Sequence, residues 1–229
     1  MSSSTNRAFR RDEVRDYERR RYRGLDQRLV DGRERKITRR LLAAALGRAG
    51  NSPLVLDVPC GYGRLSAIVI GAGARLVGAD ISLHMVERTL ENLSGSASAG
   101  TRATGVVADL TKGLPFRGGV FDAALVMRLF HHLHRSEDRR AVLTELRRIA
   151  RGPVILSFYR TNRLHILQRK LRKALQGKAY EIRMITGRTF REEAEAAGWR
   201  VVRVVPLFRG VHAQHIALLE KPGLEGPSS

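Results

Sequence analysis

The sequence predicts an α/β fold: a doubly wound, mostly parallel sheet of seven strands, the last of them antiparallel, flanked by helices. Three observations carry that expectation. Residues 54–57 form a short Val- and Leu-rich run that ends in Asp57 and passes into a turn containing Gly61 and Gly63. This is the pattern of a buried parallel strand handing over sharply to a helix. Short apolar runs recur at residues 74–80, 104–110, 121–128 and 154–158, separated by stretches with helical spacing, as βα units require. Near the C-terminus, residues 199–205 and 215–220 read as two more strands, joined by a short connection that suits antiparallel pairing. A chain of 229 residues suffices for one such domain with small additions.

Taken in order, the Arg-rich residues 1–50 read as a helical cap. Its first few residues are expected to be disordered, and a helix runs over 32–46 with Ile37, Leu41, Leu42, Ala45 and Leu46 on its apolar side. The main domain spans residues 51–221. Residues 64–70 form a short helix whose N-terminus faces the glycine turn. Ser82 is a suitable N-cap for the next helix, which runs to about Leu93. Residues 94–101, rich in Gly, Ser and Ala, form a surface loop, and 112–119 turn through Gly113, Pro115, Gly118 and Gly119. Ser136, Glu137 and Asp138 open a helix that carries Leu143, Leu146 and Ile149 toward the core, and Gly152-Pro153 closes it. After the fifth strand, within an insertion at 160–180, Leu164, Leu167, Leu171, Ala174 and Leu175 keep helical spacing opposite Arg169, Lys170, Arg172 and Lys173. That basic amphipathic helix suits a lid or dimer surface first, with anionic membrane or nucleic acid as alternatives. Residues 187–198 form the helix before the sixth strand, and 222–229 form a disordered tail.

Charge narrows the partners. The net charge is +20, and basic residues exceed acidic ones by eight in residues 1–50 and by nine in 160–191. The core between them is close to balanced, so the excess forms a basic rim suited to anions, whether metabolite, lipid surface or nucleic acid. General surface use of Arg accounts for it equally well, since only six of the basic residues are Lys. No stretch approaches the roughly 20 apolar residues of a membrane span. The N-terminus lacks a signal-peptide core, and Asp12, Glu13, Asp16 and Glu18 argue against an organellar transit peptide. Cys60, alone of its kind, rules out internal disulfides and a cysteine zinc cluster. A cytoplasmic protein is expected, peripheral membrane contact remaining open, with no metal.

The glycine turn carries the chemistry. A dinucleotide fingerprint would place a third glycine where Ser66 stands. Asp57 puts negative charge beside the turn, which suits an ammonium group better than phosphate. The run Asp57, Cys60, Gly61, Gly63 resembles the first motif of class I S-adenosylmethionine-dependent methyltransferases. Asp80 at the end of a second strand, Asp109 at the end of a third and Leu129-Phe130-His131-His132-Leu133 after a fourth follow in the family's order across residues 54–156. The resemblance implies a Rossmann-like methyltransferase fold and S-adenosylmethionine as cofactor. It makes Asp57 the partner of the methionine amino end, with Pro59, Gly61 and Gly63 shaping the turn. Asp80 becomes the ribose ligand with Ile81 against adenine, Asp109 the acceptor of the adenine amino group between Ala108 and Leu110, and Met127 a further cofactor neighbour. Pro59 departs from the family's usual small residue and removes an N–H from the turn.

Methyl transfer is an in-line displacement at an activated carbon, so alignment and exclusion of water matter more than a strong base. His131 and His132 follow strand four and Tyr159 follows strand five, where an acceptor site opens beyond the strand ends. These three are the candidate catalytic residues, with packing at a helix start as their plainer role. Arg128 and Arg160 are candidates for binding an acceptor carboxylate or phosphate. His212 and His215 read as structural. The place of the (D/N)-P-P-(Y/F) loop of amino-base methyltransferases holds Met127-Arg128-Leu129-Phe130, and Cys60 stands in the cofactor turn rather than where a cytosine C5 nucleophile is needed. The expected activity is therefore methylation of O, N or C on a small or lipid-like, anionic metabolite. Methylation of RNA along the basic rim, or a non-catalytic fold that binds RNA, membrane or a protein, are the alternatives.

Overall fold

A computed structural model describes residues 24–47, 49–95, 102–161, 183–210 and 212–223. The chain order is α1 (Leu25–Leu46), β1 (Leu54–Asp57), α2 (Ser66–Gly71), β2 (Arg75–Asp80), α3 (Leu83–Ser94), β3 (Ala103–Val107), β4 (Ala123–Val126), α4 (Ser136–Ile149), β5 (Val154–Tyr159), α5 (Gly187–Ala196), β6 (Arg200–Pro206) and β7 (Gln214–Glu220). Short 3-10 turns at Leu110–Lys112 and Phe130–His132 follow β3 and β4. One seven-stranded sheet has the order β3-β2-β1-β4-β5-β7-β6. The first five strands pair in parallel and β7 is antiparallel to both β5 and β6, so the expected fold class holds. Strand order reverses between β1 and β4, and in open α/β sheets the crevice at the carboxyl ends beside such a reversal is where ligands sit.

Strand periodicity sorts the core into two layers. Val55, Leu125, Ile155, Ile216 and Leu218 face α1 and α2, while Leu56, Val126, Leu156, Phe158, Ala217 and Leu219 face α4 and α5. Each fully buried aliphatic contributes about 1.5–3 kcal/mol. On the second face Trp199, buried and donating its indole N–H to Leu143 O at 2.9 Å, plugs the gap between α4 and β6. Arg139 of α4 meets Glu193 of α5 in a buried two-point ion pair at 2.6 and 2.8 Å, with Ser136 donating to the same carboxylate.

On the first face α1 lays Ile37, Leu41, Leu42 and Ala45 on the sheet. It begins at Leu25, seven residues before the expected start, because Gly24 holds extended backbone there and the polar turns that precede Ile37 extend the helix without interruption. Two strand ends also shift. β3 stops at Val107 and β4 at Val126, so Ala108, Asp109, Met127 and Arg128 lie in the loops beyond the strands. Ser82 takes the N-cap position of α3 with extended backbone but no side-chain cap bond, and the N–H groups of Met85 and Val86 go to its carbonyl at 3.1 Å instead. The expected disordered N-terminus, the basic helix after β5 and the last six residues of the tail fall outside the described residues, as does most of the loop expected at 94–101. Among the described residues no helix is long and apolar enough to cross a membrane.

Candidate active site

β1 ends at Asp57 in register with Gly78 of β2 and Leu125 of β4, which puts the glycine turn over the reversal point. Asp57 is only 1% exposed and accepts from the Ser66 hydroxyl at 2.6 Å. Burial lifts its carboxyl to about 7, against the opposing pull of the Ser66 bond and the Arg64 charge. The Val58–Pro59 peptide is cis. Pro59 is half-buried, and the hydrogen bonds of the turn come from its neighbours: Val58 donates to Leu125 O, and Cys60 to Ala79 O. No donor is asked of residue 59.

The two glycines of the turn do different work. Gly63, at φ +83°, lies so close to α3 that a β-carbon would come within 3.1 Å of Thr89 Cα, so its lack of a side chain serves helix packing. Gly61, at φ +56°, has nothing within 4 Å of the place a β-carbon would take, leaving that side open for a ligand. Thr89 secures the turn from beneath by donating to Gly61 O at 2.8 Å. Asp80 secures it from β2, accepting from Gly61 N through Oδ2 and from Ser82 N through Oδ1, both at 3.0 Å. Burial raises the Asp80 carboxyl against the backbone N–H groups of Ser82, Gly61 and Ile81. A carboxylate offers about four lone-pair sites, so these three N–H groups leave room for a further donor. Ile81 is half-buried beside it.

After β3, Asp109 caps the 3-10 turn, its Oδ1 accepting from Thr111 N at 2.9 Å and Thr111 Oγ1 at 2.6 Å. Ala108 is half-buried, and Leu110 is buried in the α4-side core. Met127 is buried on the α1 side. The cleft thus offers carboxylates that accept hydrogen bonds, an open glycine and apolar neighbours. That set fits S-adenosylmethionine, whose ammonium, ribose hydroxyls and adenine amino group all donate.

At the β4 and β5 ends the three candidate catalytic side chains come together. The ring of His131 lies 4.0 Å from that of His132 and 4.9 Å from that of Tyr159, centroid to centroid. His212, expected to be structural, continues this row at 6.4 Å from Tyr159, and Phe208 follows at 6.4 Å from His212. His215 is set apart, its ring 5.8 Å from Phe158. The returning chain pins the row: Arg183 N donates to His131 O, and Ile185 N to Tyr159 O. His131 is buried and His132 exposed, so His132 is the histidine of the pair that presents itself to an incoming molecule. Arg160 follows Tyr159, exposed, with its guanidinium against Gly187 at the start of α5. Among the described residues no group of three His, Cys, Asp or Glu side chains could hold a metal.

Arg128 has a different environment from the one its sequence position suggests. It sits at φ +61°, a left-handed conformation that costs an L residue roughly 1–2 kcal/mol. Its N–H donates to Ser157 Oγ at 2.8 Å, and its guanidinium reaches Glu34 of α1. Glu34 is fully buried. Its Oε2 accepts from Arg64 at 2.7 Å and Arg128 at 2.6 Å; Oε1 accepts from Arg128 Nε at 3.3 Å and Gln214 Nε2 at 2.5 Å. Burial would raise this carboxyl, but the two guanidiniums and the hydrogen bonds hold it at about 2. Arg64 also donates to Asp31 at 2.5 Å. Glu34, Arg64 and Gln214 were not among the site candidates of the sequence. The available signal was a glutamate one turn before Ile37 and Thr38, on the stripe that α1 buries.

Comparison with known proteins agrees with this geometry. Residues 55–152 match the family model described as a methyltransferase domain. A magnesium-protoporphyrin O-methyltransferase from Synechocystis is 31% identical over 150 residues, covering 60% of this chain and 63% of the relative. A probable 18S rRNA (guanine-N(7))-methyltransferase from Dictyostelium discoideum is 26% identical over 113 residues, covering 49% and 37%. The chain thus spans less than two thirds of the length of either relative. Among solved structures, magnesium protoporphyrin IX methyltransferase from Synechocystis with bound S-adenosylhomocysteine superposes with a TM-score of 0.74 at 20% identity, covering 93% of this chain and all of that one. An S-adenosylmethionine-dependent methyltransferase from Methanosarcina mazei superposes with a TM-score of 0.63 at 15% identity, covering 76% and 95%.

Proposed function

We infer that this chain, which carries a class I S-adenosylmethionine-dependent methyltransferase domain, transfers a methyl group from that cofactor to an oxygen of a flat, anionic acceptor. The observation that carries the reading is the open turn at Gly61, gripped by Asp80 at the point where strand order reverses. S-adenosylmethionine, when bound, supplies a methyl carbon activated by its sulfonium. The residues around the turn would hold it: Asp57 toward the amino end, Asp80 toward the ribose, and Ile81, Asp109 and Leu110 toward the adenine.

The acceptor side is the ring row. His132, Tyr159, His212 and Phe208 offer faces for a planar ring system, while Arg160, next in the chain to Tyr159, turns its guanidinium toward Gly187 at the start of α5. An acceptor oxygen lone pair forms the C–O bond as the C–S bond breaks, its electrons staying on sulfur. A carboxylate oxygen needs no proton removed. A hydroxyl acceptor would pass its proton to His132 or His131. The similarity to an enzyme named for magnesium-protoporphyrin O-methylation supports an acceptor of that general kind.

Calorimetric titration with S-adenosylhomocysteine, on wild type and Asp80→Ala, tests the cofactor site; micromolar binding lost in the variant is expected. Methyl-labelled S-adenosylmethionine offered with magnesium protoporphyrin then tests the acceptor, and a product one methyl heavier is expected. RNA methylation is the second reading, favoured by the net charge of +20 and the second relative. It predicts label in RNA and an affinity that falls steeply with salt.

A further inference from the structure

The crevice has two walls that lie beyond the paired ends of β1 and β4, where Val58 N donates to Leu125 O at 2.9 Å. One is the glycine turn after β1, which continues directly into Arg64. The other is the β4 exit, where the chain turns through the left-handed Arg128. Both guanidiniums converge on one oxygen of Glu34, at 2.7 and 2.6 Å, and Gln214 of β7 takes the other oxygen. The carboxylate therefore accepts four hydrogen bonds from three residues, two in the loops after β1 and β4 and one in β7. Asp31, one turn earlier on α1, holds the second arm of Arg64 and is itself paired with Arg35 at 2.9 Å.

We propose that Glu34 is a positioning residue for the cofactor crevice: by gripping Arg64 and Arg128 together it sets the spacing of the two walls and ties cofactor affinity to the docking of α1. This rests on the reading of the crevice as a cofactor site. A carboxylate between two arginines tolerates no neutral substitute, because an amide would turn a donor toward guanidinium donors and leave buried charge uncompensated. Releasing it removes the Glu34 contact from the Arg128 side chain, which projects from the left-handed turn at the β4 exit. Linkage makes the effect reciprocal: a ligand that needs the two walls in register stabilises the docked α1.

Two measurements test the proposal. In hydrogen exchange on the wild-type protein, S-adenosylhomocysteine should slow the amides of α1 as well as those of the glycine turn, while β6 on the far edge stays unchanged. In calorimetry, Glu34→Gln should weaken S-adenosylhomocysteine about tenfold, within the usual range of coupled sites. Asp31→Asn, at a partly exposed position that leaves the buried pair intact, should weaken it about two- to threefold and serves if Glu34→Gln fails to fold. Arg128→Lys combined with Asp31→Asn should give a loss different from the product of the single losses, since both act on one constraint. Unchanged affinity in Asp31→Asn, together with unprotected α1 amides, would overturn the proposal while leaving the cofactor reading intact. Absence of binding by the wild-type protein would overturn both.

Discussion

Asp57→Asn should make the ligand-free protein more stable at alkaline pH while damaging it as an enzyme. The carboxyl is lifted from 3.8 in the free residue to about 7 by burial. At roughly 1.4 kcal/mol per pH unit, that corresponds to about 4 kcal/mol of differential stability. The sign follows from proton uptake. The folded state binds the proton more tightly than the unfolded state, so this group's contribution is complete below pH 3.8 and is lost as pH rises toward 7. Between pH 5 and pH 8 wild type should lose about 2–3 kcal/mol through this residue. Asparagine keeps the shape and an acceptor for Ser66 but carries no charge. Its unpartnered amide N–H costs about 1–3 kcal/mol, so a net gain of about 2 kcal/mol at pH 8 is expected. Urea unfolding of both proteins at the two pH values gives the answer. An equally steep loss in the variant would show that Asp57 does not carry the titration and would refute the reasoning.

Gly63→Ala should lower the thermal midpoint by several degrees, because positive φ costs about 1–2 kcal/mol and the new β-carbon presses on Thr89 Cα. Gly61→Ala should cost only the positive-φ strain of about 1–2 kcal/mol, with no clash to add, yet weaken S-adenosylhomocysteine, as calorimetry would show. Arg139→Met should destabilise by about 3–5 kcal/mol by stranding Glu193, and adding Glu193→Leu should recover most of the loss; denaturant titration of the two variants checks this. If the acceptor oxygen is already ionised, His132→Ala should raise the acceptor KM about tenfold, worth about 1.4 kcal/mol of binding, with kcat nearly unchanged. A kcat reduced by about 10²–10⁴ would instead identify a general base.

The sequence by itself determined the fold and the frame of the site, because both rest on local patterns. Short, continuous apolar runs closed by Asp57 and Asp80 specify buried parallel strands whatever surrounds them, and Gly61 and Gly63 specify a sharp turn between strand and helix. Adjacent positions such as His131-His132 and Tyr159-Arg160 were legible as strand-end residues for the same reason. What needed three dimensions was every relation between distant segments. That Gly63 packs on Thr89 depends on how closely α3 approaches. That His212 joins the row of Tyr159 depends on antiparallel pairing of β5 with β7. Arg128 reads in sequence as a cation at a strand end for an acceptor carboxylate or phosphate, and the structure pairs it with a buried carboxylate 94 residues away. Glu34 itself looks like one more charge on an Arg-rich helix until α1 is laid on the sheet. Desolvation then makes its pairing with Arg64, Arg128 and Gln214 obligatory.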